Sequence, residues 1–165
     1  MNLDIGFTRD DKLFRYRAGG LILHDGKALF VKSNEDRYGG YYYVLGGGVE
    51  LGESSMHCIE REVFEETGMK AHCERLAVVL ENFFLGGGNP PDLKDCHTIE
   101  FYYIMRIEDP ESCKTMTDCN EKLEWIPIEE IERFTIKPIV IAERFKEILA
   151  SKEILHIIEE RDRRI

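Results

Sequence analysis

The sequence predicts a fold of the α/β (α+β) class, on three observations. Strand-type and helix-type patterns alternate along the chain, without repeats or low-complexity tracts. The 165 residues, 43% of them hydrophobic, suit one compact domain over residues 1–165. No apolar run approaches the length of a membrane span, so we expect no membrane partner.

Strands are predicted first, before the helical segment. The stretch AGGLILHDGKALFVKS (18–33) places Asp25-Gly26 between two apolar runs, and this dipeptide tolerates the positive φ angles of a tight hairpin turn. The stretch YYYVL (41–45) predicts another strand, which leads into three consecutive glycines at 46–48.

The segment SSMHCIEREVFEET (54–67) has helical periodicity. Ser54 or Ser55 is placed to cap its first turn, and Gly68 is placed to end it. The apolar stripe formed by Met56, Ile59 and Val63 is predicted to seat this helix on a sheet.

Strands return after the helix. RLAVVLENFFL (75–85) and HTIEFYYIMRI (97–107) are predicted strands, joined by a loop rich in glycine and proline. The stretch 121–134 predicts a strand that runs into a short helix, and 138–151 predicts an amphipathic closing helix. For 152–165, a final strand and an extension of that helix are both left open.

Composition narrows the expected partners. The 22 basic and 32 acidic residues give a net charge of −10, so no nucleic-acid partner is expected, and a small anionic ligand would need a bridging cation. The five cysteines form no CxxC pair, which indicates reduced, buried thiols rather than a zinc site or a disulfide framework. No signal peptide is recognisable, and a cytoplasmic location is expected.

The carboxylates of the helical segment indicate a metal site. At 100° per residue, Glu62, Glu65 and Glu66 fall within an arc of roughly 100°. Arg61 precedes Glu65 by four residues and can pair with it, but one arginine does not neutralise three carboxylates. Hard divalent cations such as Mg²⁺ prefer carboxylate oxygens together with substrate phosphates. The alternative interpretation is a solvated acidic face.

The stretch from Gly47 to Met69 resembles the Nudix box of the MutT-like Nudix hydrolase family. Gly47 is followed, after five residues, by Glu53 and, after seven more, by REVFEETGM. A weaker resemblance extends over about residues 17–134. The chain departs from the family at Leu45, where a proline usually precedes the first glycine. The resemblance implies an α/β/α sandwich with a mixed central sheet, in which the box forms a loop, a helix and a second loop.

The resemblance also implies roles for individual residues. A divalent metal, Mg²⁺ or Mn²⁺, would be held by the carbonyl of Gly46 and by the carboxylates of Glu62, Glu65 and Glu66. Arg61 matches the arginine that orients these glutamates, and Glu53 matches the acid that pairs with it. An equally compatible interpretation is that Glu53 and Arg61 only tie the loop to the helix.

The expected chemistry is metal-dependent hydrolysis of a diphosphate. Bound metal neutralises the phosphate charge, and a nearby carboxylate takes a proton from the attacking water. Glu62, Glu66 and a residue of a later loop, Glu121, are the candidates for this base. The alternative interpretation of Glu121 is a surface residue beside Lys122.

The substrate is expected to be a small nucleoside diphosphate derivative. Nucleotide sugars, ADP-ribose-like molecules and nucleoside triphosphates stay open, because the window NFFLGGG (82–88) lacks the proline or tyrosine typical of certain subfamilies. Phe83 or Phe84 could stack on a base, and Arg17 could contact a phosphate; core packing and a surface position are the alternatives. His97 is predicted to be structural. A non-catalytic nucleotide sensor is the alternative function, and a homodimer is left open.

Overall fold

The computed structural model describes residues 3–35, 40–87 and 92–161. Three helices lie among ten strands in this part of the chain. In chain order the elements are β1 Gly6–Arg9, β2 Lys12–His24, β3 Lys27–Lys32, β4 Tyr42–Val44, β5 Gly46–Gly48, α1 Ser55–Thr67, β6 Ala71–Gly86, β7 Lys94–Ile107, β8 Lys122–Pro127, β9 Ile136–Lys137, α2 Ile139–Glu143, α3 Phe145–Ala150 and β10 Leu155–Glu159. Short 3₁₀ turns cover Pro110–Ser112 and Ile128–Arg133.

The strands form one mixed sheet in the order β10-β6-β7-β2-β3-β4-β9. Strands β1 and β5 also pair with β2, and β8 pairs with β3. The pairs β2–β7, β6–β10 and β4–β9 are parallel, whereas the other pairs are antiparallel. The predicted mixed central sheet is therefore confirmed.

Helices cover both faces of this sheet, because successive residues of a strand point to opposite sides. Leu21 of β2 belongs to the core shared with α2 and α3, whereas its neighbour Ile22 belongs to the core shared with α1. Both side chains are almost completely buried. The predicted α/β/α layering is confirmed. None of the described helices is long and apolar enough to cross a membrane.

The local signals for turns and caps are confirmed. Asp25 and Gly26 both have positive φ angles, 47° and 71°, in the turn between β2 and β3. The Ser54 hydroxyl accepts a hydrogen bond from the amide of His57, so Ser54 rather than Ser55 is the N-cap of α1. Gly68 ends α1 in the left-handed conformation.

Two expectations about the helices were wrong. Met56 is 41% exposed, and Cys58 takes its place in the buried stripe with Ile59 and Val63. The closing helix is two short helices separated at Arg144, whose φ and ψ angles are −105° and 14°. This break keeps Ile141 of α2 and Phe145 of α3 in the same core.

Strand pairing decides between the two alternatives left open for part of the C-terminal segment, and the long loop is described only in part. Residues 155–159 form strand β10, which pairs with β6 in parallel, so the helix extension is excluded for them. The loop between β6 and β7 spans 87–93, and its residues 88–91 lie outside the described part of the chain. All five cysteines are free, but the predicted burial holds only for Cys58 and Cys96, since Cys73 and Cys113 are half-buried and Cys119 is exposed.

Candidate active site

The glycines before α1 let the backbone of β5 approach the helix. A Cβ atom at Gly47 would lie 2.2 Å from the carboxylate carbon of Glu62. Gly47 pairs with Ala18 of β2, so β5 is held between the sheet and the helix. The close contact between β5 and the first carboxylate of the helix face therefore depends on a residue without a side chain.

Arg61 is the centre of an ion-pair network that we call the arginine hub. Its guanidinium donates to both carboxylate oxygens of Glu53, at 2.9 and 3.0 Å, and to Glu62 at 2.8 Å. Glu65 and Glu50 are more distant, at 3.3 and 3.8 Å. The hydrogen bonds from Arg61 lower the pKa of Glu53, so this carboxyl stays ionised in the folded chain.

A second group of carboxylates lies beyond the hub. We call Glu62, Glu66, Asp118 and Glu121 the acidic cluster. Burial raises the pKa of Glu66, and the charges of Glu62, Asp118 and Glu121 raise it further, against an opposing effect of Lys114. The amine of Lys114 lies 3.2 Å from Asp118. Negative charge at Glu66 is thus only partly compensated.

The loop residue Glu121 is more than a surface residue. Its carboxylate accepts a hydrogen bond from the hydroxyl of Tyr43, a residue of β4. Its amide donates to the side chain of Thr117, 3.2 Å away, which closes the turn before β8. Burial, and then the bond to Glu121, raise the pKa of Tyr43, so this phenol keeps its proton.

The donor set of the acidic cluster fits a hard divalent cation. Carboxylate oxygens are the ligands that Mg²⁺ and Mn²⁺ accept, and burial together with the charges of Glu62, Asp118 and Glu121 raises the pKa of Glu66. Over residues 3–35, 40–87 and 92–161, however, no three Asp, Glu, His or Cys side chains converge on one point as they stand. Glu62 is turned towards Arg61, and Glu65 is half exposed.

A cavity of about 400 Å³ adjoins the acidic cluster. Tyr43 lines this cavity and its hydroxyl donates to Glu121, so the two features share a residue. Four cationic side chains line the cavity: Arg15, Arg17, Lys137 and Arg161. Its polar wall carries Glu100, which is 2% exposed and accepts hydrogen bonds from Thr98 and Tyr102.

The structure separates the candidates that the sequence left open. Arg17 lies inside β2 and lines the cavity, instead of preceding the strand on the surface. Phe84 lines the cavity, whereas Phe83 stacks on His97 with ring centroids 4.2 Å apart. Gly46 lies in β5 opposite Gly19.

Sequence reasoning missed three residues of this region. Asp118 and Tyr43 adjoin Glu66 and Glu121, and Glu100 is buried in the wall of the cavity. For Glu100 a signal existed, because this charged residue stands inside the predicted strand HTIEFYYIMRI, between Ile99 and Phe101. No local pattern distinguishes Asp118, in the turn before β8, or Tyr43, in β4.

Comparisons with known proteins bear on the family and the fold of this chain. The family model of the NUDIX domain matches residues 13–147. The rat protein diphosphoinositol polyphosphate phosphohydrolase 2 is 31% identical over 126 residues, which cover 74% of this chain. The chain spans 64% of the length of that relative, and 63% of the human counterpart, at 30% identity.

Solved structures show the same fold at low identity. A MutT protein from Bacillus halodurans has a TM-score of 0.64 at 20% identity, with 86% of each chain covered. An ADP-ribose pyrophosphatase from Streptococcus suis has a TM-score of 0.58 at 15% identity, covering 88% of this chain and 98% of that chain. A NUDIX hydrolase from Nitrosomonas europaea has a TM-score of 0.63 at 13% identity, covering 87% and 77%.

Proposed function

This chain belongs to the Nudix family, and we propose that it is a divalent-metal-dependent pyrophosphohydrolase that cleaves a diphosphate linked to another group. The acidic cluster carries the proposal. Glu66 is partly desolvated among Glu62, Asp118 and Glu121, with less positive than negative charge around it. Carboxylates held this close repel one another and destabilise the fold unless a bound cation offsets the repulsion. Groups of this kind are concentrated at functional sites.

Residues of the box would hold the metal, Mg²⁺ or Mn²⁺. The proposed ligands are Gly46 through its carbonyl, Glu62, Glu65 and Glu66. The chemistry supplied by a bound ion is neutralisation of the diphosphate charge and activation of a water molecule. Arg61 would orient Glu62 and Glu65, and Glu53 would in turn hold Arg61 through the two-pronged bond.

The general base is proposed among three carboxylates: Glu62, Glu66 and Glu121. A base must take a proton from water close to the diphosphate, so it must lie at the edge of the acidic cluster. Glu121 satisfies this because it neighbours Glu66 and is oriented by Tyr43. Tyr43 keeps its own proton, and its hydroxyl orients the carboxylate of Glu121 by donating a hydrogen bond to it.

The names of the relatives widen the range of proposed substrates. Nucleotide sugars, ADP-ribose and nucleoside triphosphates are joined by diphosphoinositol polyphosphates, which the rat relative is named for. We propose a small molecule rather than a nucleic acid as the partner. One domain over residues 1–165, a cytoplasmic location and a homodimer are further proposals.

The test is hydrolysis of these four substrate types with Mg²⁺, Mn²⁺, Ca²⁺ and chelator. Activity should vanish with chelator and return with Mg²⁺ or Mn²⁺, whereas Ca²⁺ should substitute poorly, because its coordination shell is larger and looser. Glu66→Gln should lower kcat by orders of magnitude while the far-ultraviolet circular dichroism spectrum stays unchanged.

Two outcomes separate the proposals. A near-normal rate for Glu121→Gln removes Glu121 as the base and leaves the rest in place. Binding of a nucleotide with Mg²⁺, with no phosphate-containing product over hours for any substrate type, overturns the enzyme and favours the nucleotide sensor.

A further inference from the structure

We infer that the cavity is a subsite for a phosphate group that the substrate carries in addition to its diphosphate, and that Arg17 selects for this group. The inference rests on the proposed function, because it assumes that the diphosphate lies at the acidic cluster. It narrows the substrate to conjugates whose second moiety is itself phosphorylated.

The first support is that Arg17 has unused hydrogen-bonding capacity. Its Nε atom is buried and has no hydrogen-bond partner among residues 3–35, 40–87 and 92–161. Within the described part of the chain, Arg17 forms no ion pair, unlike two other cations of the cavity. Arg15 lies 3.3 Å from Asp4, and Arg161 lies 2.8 Å from Glu143. A buried donor without a partner destabilises the protein, so a ligand acceptor at this position is favoured.

The buried carboxylate that lies opposite Arg17 on the neighbouring strand accepts no hydrogen bond from the Nε atom of Arg17. Glu100 is the register partner of Arg17 on the parallel strand β7. Its oxygens are engaged by the hydroxyls of Thr98, at 2.6 Å, and Tyr102, and by the amide of Asn82 at 3.4 Å. These bonds fix Glu100 in the wall of the cavity and leave the Nε of Arg17 for a ligand.

The charge of the cavity favours a phosphate over a nucleobase. Among the described residues that line the cavity, four cations face two carboxylates, Glu100 and Glu159, although the chain as a whole carries a charge of −10. Two of the tyrosines that line the cavity already have partners within the protein. Lys137 covers the ring of Tyr41 at 4.2 Å from its centroid, and Tyr43 is bonded to Glu121. Arginine presents its donors in a planar fork that matches phosphate oxygens.

The position of the cavity links this phosphate to the reaction. The hydroxyl of Tyr43 donates a hydrogen bond to Glu121, and the same residue lines the cavity. A diphosphate at the acidic cluster and a phosphate beside Arg17 can therefore belong to one molecule. Two sources supply such a phosphate monoester: a phosphorylated inositol ring, or a nucleotide with a phosphate on its ribose.

The decisive experiment measures binding without catalysis. Isothermal titration calorimetry in chelator would use myo-inositol hexakisphosphate and adenosine 2′,5′-bisphosphate as probes, which lack a diphosphate. Tighter binding of the first probe identifies the inositol source, and tighter binding of the second identifies the nucleotide source. Arg17→Gln should weaken binding of the preferred probe at least tenfold, and Arg17→Lys should weaken it less, because the charge remains but the fork is lost.

A matched control separates the subsite from general charge. Arg133→Gln removes the same charge from an exposed arginine, whose side chain is 75% exposed, and should leave the affinity unchanged. Equal weakening by Arg133→Gln and Arg17→Gln, or no weakening by either Arg17 variant, overturns the inference. Thermal unfolding of each variant shows that the protein titrated is folded.

A second experiment connects the subsite to turnover. NADH and NADPH share a diphosphate and differ by one ribose phosphate, so they form a matched pair of substrates. Arg17→Gln should lower the ratio of kcat/KM for NADPH to that for NADH at least tenfold, mainly through KM. A ratio that does not change contradicts selection by Arg17. Probe binding that depends on Arg17, with no hydrolysis of any substrate, would overturn the proposed function but not the anion subsite.

Discussion

At the scale of single residues, the arginine hub decides which carboxylates of the box are neutralised. Arg61 uses its Nε and Nη2 atoms for Glu53 and its Nη1 atom for Glu62 and Glu65. Its side chain is 28% exposed, so these ion pairs are only partly screened by water. Among the described residues, no hydrogen bond or ion pair joins Glu66 to Arg61, so Glu66 lies outside the hub.

Removing this arginine should destabilise the protein. In Arg61→Gln the carboxylates of Glu53 and Glu62 lose their shared partner, and we expect the free energy of unfolding to fall by about 2 kcal/mol. Urea denaturation in metal-free buffer at pH 7 measures this loss. Arg106→Gln is the control, because the Arg106 side chain is 79% exposed and its ion pair should contribute less than about 1 kcal/mol. Equal stability of Arg61→Gln and wild type would contradict the hub.

At the scale of secondary-structure elements, the close approach of β5 to α1 positions the helix face. Cys58 of α1 packs against β5, with its Sγ atom 3.3 Å from the carbonyl oxygen of Gly48. Ser55 at the start of α1 bonds to the hydroxyl of Tyr103 on β7 at 2.8 Å. The helix is thus anchored to both β5 and the central sheet, which leaves its carboxylate face at their edge.

A methyl group at Gly47 should disable the site without unfolding the chain. In Gly47→Ala the new Cβ meets the flexible end of Glu62, which can move away at a small cost in stability but leaves its position at the acidic cluster. We expect kcat/KM to fall by about 100-fold, as when an oriented ligand is displaced. Steady-state hydrolysis and the melting temperature test this.

Gly48→Ala is the matched control for that substitution. Its Cβ would meet the side chain of Asp4, 2.5 Å away, rather than a residue of the box helix. Hydrolysis should be affected much less than in Gly47→Ala. Similar losses in both variants would show that the glycines matter for the strand rather than for Glu62.

At the scale of the whole molecule, ionised side chains connect strands that are far apart in sequence. Glu124 of β8 accepts hydrogen bonds from Lys122, at 2.5 Å, and from Tyr42 of β4. These bonds lower the pKa of Glu124 below its ordinary value of 4.5. Burial, and then the bond to Glu124, raise the pKa of Tyr42 to about 12, so the phenol stays protonated.

The stability supplied by Glu124 should depend on pH with a definite sign. A carboxyl with a lowered folded-state pKa stabilises above its unfolded pKa, near pH 4.5, and loses this contribution as the pH falls through the folded value. Glu124→Gln should therefore be less stable than wild type at pH 7, by about 1 kcal/mol, and the difference should shrink towards pH 3. Urea denaturation at pH 7, 5 and 3 measures it. A constant difference at all three values would contradict this origin.

The sequence alone determined the features that depend on local spacing. The hairpin at Asp25-Gly26, the cap at Ser54 and the pairing of Arg61 with Glu65 each involve residues at most four positions apart. A turn or a helix converts such spacing directly into contact, so periodicity and turn chemistry suffice. The Nudix box is likewise a continuous segment, 23 residues long, so its spacing can be read directly from the sequence. The family and the sandwich fold that it predicts are confirmed.

Only the tertiary structure decided how distant segments complete the site. Arg17, Glu100 and Arg161 meet in one cavity because β2 pairs with β7, β7 with β6, and β6 with β10. The closing segment shows the same limit. Its apolar residues suit a helix or a strand, and the free edge of β6 selects the strand for 155–159. Register between strands sets these contacts, and no pattern within a strand specifies which other strand will lie beside it.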